Sequence, residues 1–247
     1  MFSLSLIPIS DTNPARRRPY VTLALIAVNV FTFFATPGLG TDLAGARYFI
    51  KNAPIPCQLQ DLCPAQVFGI GIPDRGLGAF LISIVFSTFL HAGLLHLLGN
   101  LLFLWIFGNN VEDHLGHVRY LLFYLLGGIA AGFGHVLTHL SDPIPSVGAS
   151  GAVAAVMGAY ILLYPRARVN VLVPIFFFFT VVQLPAFAVL GLWFLYQFLI
   201  GAQEVTGATE VAWMAHVGGF VFGLIAVFLL GGRPQKPTPH WGPEWRY

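Results

Sequence analysis

The sequence predicts an all-α membrane protein, a bundle of six transmembrane helices, and three observations carry that expectation. Hydrophobic residues make up 57% of the 247 and charged residues 9%, too little polar surface to coat a water-soluble globule of this size. Several apolar stretches approach the roughly 20 residues that cross a hydrocarbon core. The basic residues gather in short clusters between those stretches, a distribution that sets membrane orientation. With a net charge of only +2, no nucleic-acid partner is expected; the lipid bilayer is.

Residues 1–19 end in Arg16, Arg17 and Arg18 and read as a cytoplasmic segment. The first span covers about 20–36. A basic cluster before an apolar run also opens a signal peptide, but Pro37 stands where a small-residue cleavage site is wanted, so the run is read as a retained anchor. A long external loop, 37–88, follows. It is rich in Gly, Pro and polar residues at its start, and its later part, Leu77 to Phe86, is apolar enough to dip into the interface. Cys57 and Cys63 lie in this loop and are its disulfide candidates, since an oxidising exterior permits a bridge. Without a nearby histidine they do not make a zinc site.

The remaining spans are drawn at about 89–108, 119–140, 147–164, 185–201 and 211–231, which places the membrane domain at 20–231 and leaves 232–247 as a cytoplasmic tail. Val169 to Val182 contains Pro174 and four consecutive phenylalanines and is read as an interfacial or re-entrant helix, a seventh span being the alternative. Charge favours six. With the amino terminus inside, nine basic residues (Arg16, Arg17, Arg18, Arg119, Arg166, Arg168, Arg233, Lys236 and Arg246) fall on the cytoplasmic side, against Arg47, Lys51 and Arg75 outside. A seventh span carries Arg233 and Lys236 outside, against the positive-inside rule. The expected location is therefore a cell (inner) membrane with a cytoplasmic amino terminus.

Polar groups inside a membrane are costly, so each one in a span needs a reason. Ser150, within Gly148-Ala149-Ser150-Gly151, opens the fourth span near the outer face, and the flanking glycines Gly148 and Gly151 leave its hydroxyl open. By itself Gly-x-Ser-Gly is more readily a serine at a helix contact, bonded to its own backbone. His216 lies about five residues into the sixth span, which enters from the same face. Small residues recur along both spans, at Gly151, Ala155, Gly158 and Ala159 and at Gly219 and Gly223, so the two helices are expected to approach closely. A hydroxyl and a neutral imidazole at similar depth have the logic of acyl transfer, the imidazole taking the serine proton and returning it to the leaving amine.

These helices carry no acidic residue to orient the histidine, so a dyad is expected, with Asp142 and Glu210 in external loops as alternative orienters. In the second span His96 and Asn100 are spaced i, i+4 on one face, with His91 nearer the exterior. Their donors, with the Ser150 N–H, suit a tetrahedral oxyanion. His91, His96 and His216 as three metal ligands is the competing reading, but the i, i+5 spacing of the first two diverges and no His-Glu-x-x-His is present. No metal and no cofactor are expected. His135 and His139 read as packing or pore-lining residues, and His114 and His117 as solvated residues of a cytoplasmic loop.

His91-x-x-x-x-His96-x-x-x-Asn100, Gly148-Ala149-Ser150-Gly151 and Ala215-His216-Val217-Gly218-Gly219-x-x-x-Gly223 together resemble the rhomboid intramembrane proteases, in the family's order and over roughly residues 84–230. The resemblance implies a six-helix rhomboid-like bundle with a Ser-His dyad in a water-filled cavity opening outward, Asn100 and His96 at the oxyanion site, and transmembrane proteins as substrates. An intact helix hides its carbonyls in its own hydrogen bonds, so helix-weakening residues in a substrate expose the peptide bond. Two features depart from the family pattern. Many members carry a Trp-Arg pair in the first external loop, which the stretch near Ile82-Ser83 lacks, and many bacterial members have a tyrosine four residues after the nucleophile, where this chain has Ala154. The other readings are an inactive rhomboid-like protein that binds membrane clients and a transporter using a histidine relay. The latter is disfavoured because no internal repeat and no buried carboxylate are expected.

Overall fold

The computed structural model describes residues 7–175, 178–204 and 212–234. Strand β1 (Ile7–Asp11) leads to helix α1 (Tyr20–Ala35). The outer segment holds α2 (Leu43–Asn52), the short hairpin β2 (Gln66–Val67) and β3 (Ile70–Gly71), and α3 (Leu77–Ser87). Then come α4 (Leu94–Leu115), α5 (His117–Thr138), α6 (Ser150–Leu163), the strands β4 (Arg168–Ile175) and β5 (Phe178–Pro185), and finally α7 (Ala186–Glu204) and α8 (Trp213–Leu229). By length and composition, α4 and α5 are each able to cross a membrane. The apolar runs Tyr20–Ala35, Leu77–Ser87, Ser150–Leu163, Ala186–Leu199 and Trp213–Leu229 are shorter.

Helix α6 is the centre of the bundle. Every residue from Gly151 to Tyr160 is buried, and α4, α5, α7 and α8 all pack on it. It meets α8 backbone to backbone: a Cβ built on Gly223 would fall 1.9 Å from the Ala155 carbonyl oxygen, one on Gly219 2.0 Å from that of Gly151, and one on Gly158 2.1 Å from that of Phe220. Backbone therefore touches backbone along the crossing, the arrangement that small residues permit.

Two expectations about element type and bounds are corrected first. The described residues of the Val169 to Val182 stretch, 169–175 and 178–182, are not helical: β4 and β5 pair antiparallel, and β1 adds to the other edge of β4, giving the sheet order β1-β4-β5. The β-branched residues Val169, Val171, Val173, Val181 and Val182, with Pro174 denying a helix its N–H, favour extended backbone, so the fold is not purely α. The second helix of the bundle is also displaced along the chain, beginning at Leu94 and running to Leu115. Gly93 (φ +152°) and Gly116 (φ +77°) bound it, in backbone conformations that favour glycine. His91 consequently lies in the loop before α4 rather than within a span.

The polar end of α4, which reads as loop in the sequence, is helical because the amino-terminal segment covers it. Glu112 is 1% exposed. Its carboxylate accepts the Val21 and Thr22 N–H groups and the Thr22 hydroxyl at 2.7–2.8 Å, capping the free donors of the first turn of α1. A buried carboxylate is thus present after all, at a helix end. His117 Nδ1 lies 2.6 Å from the same carboxylate, so His114 and His117 belong to the ends of α4 and α5, not to a solvated loop. Asp11 accepts hydrogen bonds from Tyr160 Oη and Asn110 Nδ2, and the Arg16 and Arg17 N–H groups donate to Asp113.

Candidate active site

Ser150 is the first residue of α6, and the turn that delivers it depends on Gly148. At φ +137° a side chain is strained there, and a Cβ would meet His96 Nε2 at 2.8 Å and Ser150 Oγ at 3.4 Å. The imidazole of His96 and the hydroxyl of Ser150 therefore flank the same bare α-carbon. The Gly148 N–H donates to the Ser87 carbonyl at 3.0 Å, tying the turn to the end of α3. Gly151 packs against Ala131 of α5 and Ala215 of α8.

His216 is the fourth residue of α8 and faces Ser150 across the glycine-lined crossing, with Nε2 2.9 Å from Oγ. Its other ring nitrogen, Nδ1, lies 2.7 Å from Gln197 Oε1 on α7. Gln197 is buried, and its Nε2 donates to the Trp193 carbonyl at 3.2 Å, so the amide oxygen is the end that faces His216. An acceptor at Nδ1 holds the proton there and leaves the Nε2 lone pair directed at the serine hydroxyl. The Trp193 ring flanks the imidazole, with centroids 5.7 Å apart, while Ala154 is fully buried in the core of the bundle.

The other residues singled out from sequence lie around this pair in different relations to it. His96 is beside Gly148, and fully buried His91 packs edge-on against the His96 ring at 5.1 Å. Asn100 is buried, and its Nδ2 donates to the His96 carbonyl of its own helix at 2.9 Å. His135 and His139 stack on each other at 4.7 Å. The Asp142 carboxylate accepts the Ile144 N–H within the α5–α6 loop, so it does not orient His216; Glu210 lies outside the described residues. Cys57 and Cys63 form a disulfide, and the Cys57 N–H donates to the Asp142 carbonyl at 3.1 Å, joining the outer segment to the loop that leads into Gly148.

Gln197 is the candidate site residue that the sequence reading did not single out. Its signal was present: it is the one amide, and no charge accompanies it, in the apolar run Ala186–Leu199. Such a group in a span needs a partner.

A helical membrane bundle that holds a serine and a histidine in hydrogen-bond contact at the start of two closely crossing helices defines a narrow class of proteins, and the comparisons with known proteins agree with it. The Rhomboid domain model matches residues 79–233; the chain belongs to the rhomboid family. It is 31% identical over 143 residues to the presenilin-associated rhomboid-like protein A, mitochondrial, of Danio rerio, covering 57% of this chain and 35% of that protein. To its Bos taurus counterpart it is 28% identical over 205 residues, 81% of this chain and 46% of the relative. To the rhomboid protease GluP of Bacillus subtilis it is 45% identical over 75 residues, 30% of this chain and 14% of the relative. The chain thus spans less than half the length of each.

Proposed function

We propose that this chain is an intramembrane serine endopeptidase that cuts transmembrane proteins within or beside a membrane-spanning helix near the outer face, with Ser150 as nucleophile and His216 as general base. The observation that carries this reading is the 2.9 Å contact between His216 Nε2 and Ser150 Oγ. It has the reach required of a nucleophile and its base, and the second ring nitrogen is held by Gln197.

As Oγ attacks the scissile carbonyl carbon, Nε2 takes its proton and the carbonyl electron pair moves onto oxygen. Ser150 opens α6, so its own N–H and those of the next residues have no partner within the helix. The first bond of that turn is the Val153 N–H to the Ala149 carbonyl. These N–H groups, with His96 and the second amide hydrogen of Asn100, form the oxyanion site. Collapse of the intermediate breaks the C–N bond and the imidazolium returns its proton to the leaving amine. Water then hydrolyses the acyl-enzyme by the same steps in reverse roles.

The membrane arrangement consistent with this chemistry has six spans, α1 and α4 to α8, with the amino terminus and the 232–247 tail inside a cell (inner) membrane and the 37–88 segment outside. Helix α6 has 14 residues, about 21 Å at 1.5 Å per residue, shorter than the roughly 30 Å hydrocarbon core. With its Leu163 end at the inner interface, Ser150 sits below the outer surface, where a membrane-embedded helix can reach it.

The test is cleavage of a transmembrane reporter by purified protein in liposomes, with fluorophosphonate labelling as a second readout. Wild type is expected to cut and to be labelled, whereas Ser150→Ala and His216→Ala each lose at least about 10³-fold in rate. Labelling should vanish in Ser150→Ala. Cutting that survives Ser150→Ala, or a wild type that neither cuts nor labels, overturns the proposal, the second result in favour of a client-binding protein.

A further inference from the structure

The β4–β5 hairpin stands at the end of the bundle opposite Ser150, beyond the end of α6, and its polarity runs in an unusual direction. Near the base, Val169 and Val171 are fully buried in the core, while the other face carries a polar ladder in which Gln183 Nε2 donates to Asn170 Oδ1 and Asn170 Nδ2 donates to Ser10 Oγ. Toward the tip both faces become apolar. Phe178 pairs with Ile175 and Phe179 with Pro174. Phe178 is 79% exposed, Phe179 73%, Val181 52% and Val182 40%. A hairpin reaching into water shows the reverse gradient, because a protruding apolar strand with a free edge is an aggregation liability.

We infer that the distal part of this hairpin is a lipid-binding element that lies in the headgroup and upper acyl region of the leaflet at the arginine-rich end of the bundle. Two physical constraints set its depth. Exposed phenylalanine and valine on both faces gain by leaving water. Against deep insertion, β5 is the edge of the sheet, and its outward N–H and C=O groups have no partner in hydrocarbon, so it stays where water reaches the backbone. An interfacial depth of about 5–10 Å satisfies both.

Charge identifies the lipid. Arg166 and Arg168 are exposed at the base of the hairpin, and Arg16, Arg17, Arg18 and Arg119 are exposed at the same end. Against them stand Asp113, which approaches Arg17 at 4.0 Å, and the carboxylates of Glu112 and Asp11, which are occupied by hydrogen bonds within the protein. The balance is basic and favours anionic phospholipid. The hairpin thus continues the lipid-facing surface of the helices, with arginines marking the headgroup level. This inference is independent of whether Ser150 is a nucleophile.

The experiment attaches an environment-sensitive fluorophore to Phe179→Cys, Val181→Cys and Gln183→Cys, one at a time, in the full chain. The native cysteines are joined to each other, so the introduced thiol is the one that reacts, and Gln66→Cys in the exposed part of β2 is the control. In vesicles of phosphatidylcholine and phosphatidylglycerol, emission at position 179 should shift to the blue of the control. Quenching should be stronger by lipids spin-labelled near the headgroup than by lipids labelled near the acyl terminus, and it should decline in the order 179, 181, 183. Arg166→Gln with Arg168→Gln should reduce the shift in these vesicles and leave it unchanged in phosphatidylcholine alone. Water-like emission at 179 without lipid quenching overturns the inference. Energy transfer between labelled copies in place of lipid quenching also overturns it, replacing the bilayer by a second copy of the chain.

Discussion

Gln197 gives the proposed dyad a third member with no charge. A carboxylate in that place stabilises imidazolium as well as holding the ring, whereas a neutral amide oxygen does mainly the second. In an apolar bundle the difference matters, because a buried carboxylate must be desolvated whether or not the histidine is charged. Gln197→Ala removes the acceptor at Nδ1 and frees the ring to turn, so kcat should fall about 10- to 100-fold, the range typical of a lost orienting contact, with KM little changed. Gln197→Glu restores an acceptor and should recover part of the loss. A fall in thermal stability with kcat intact would instead make Gln197 a packing residue. The pair Ser150 and His216 stands out in the sequence because each is a reactive group in a span with little other polarity. Gln197 is marked as a lone amide in an apolar run, but which residue it serves depends on α7 lying beside α8, a relation that spacing along one helix does not encode.

Helix packing rather than helix propensity holds the reacting groups together. The small residues of α6 and α8 mark a close crossing in the sequence itself, since only glycine and alanine let two backbones meet. Their energetic consequence can be measured by two substitutions of opposite expectation. Gly223→Ala places a methyl group 1.9 Å from the Ala155 carbonyl oxygen, so the helices must separate. A cost of about 1–3 kcal/mol follows, visible as a lower Tm in detergent and as lost Ser150–His216 contact in cleavage. Gly191→Ala on α7 meets nothing within 4 Å and should be neutral or stabilise by about 0.5–1 kcal/mol through helix propensity. Equal losses in both variants would contradict a specific crossing. Element boundaries were harder to read where contact with distant segments decides them. The polar end of α4 is helical because residues 11–22 satisfy it, a cause distant in the chain. The strands β4 and β5 pair with each other, and β1, some 160 residues earlier in the chain, covers the other edge of β4. The β-branched residues there favour a strand, whereas the block of phenylalanines beside Pro174 reads as an interfacial helix.

The amino-terminal segment acts on the whole molecule as a strap across the end of the bundle away from Ser150. It joins β4 through strand pairing, α4 through Asn110, Glu112 and Asp113, and α6 through Tyr160. Asp11 is the junction of these contacts, and burial pushes its carboxyl up from 3.8 to about 7, against the opposing pull of the Tyr160 hydroxyl and nearby backbone hydrogen bonds. A group whose folded pKa is raised favours the fold in its protonated form. Its stabilising contribution is therefore complete below about pH 4, declines between about pH 4 and 7, and is absent above that range. Asp11→Asn keeps an oxygen acceptor for Tyr160 without the titration. The variant should match wild type near pH 4.5 and exceed it near pH 8, with the difference opening across that window. Hydrogen exchange at the Thr12 amide, which donates to the Arg168 carbonyl, reads the strap itself and should slow in the variant at pH 8. Every other side chain is common to both proteins, so the difference between the two curves isolates Asp11. A difference that stays constant from pH 4.5 to 8 would mean that Asp11 is already ionised in the folded strap, and the hydrogen bonds to Tyr160 and Asn110 would then be those of a carboxylate.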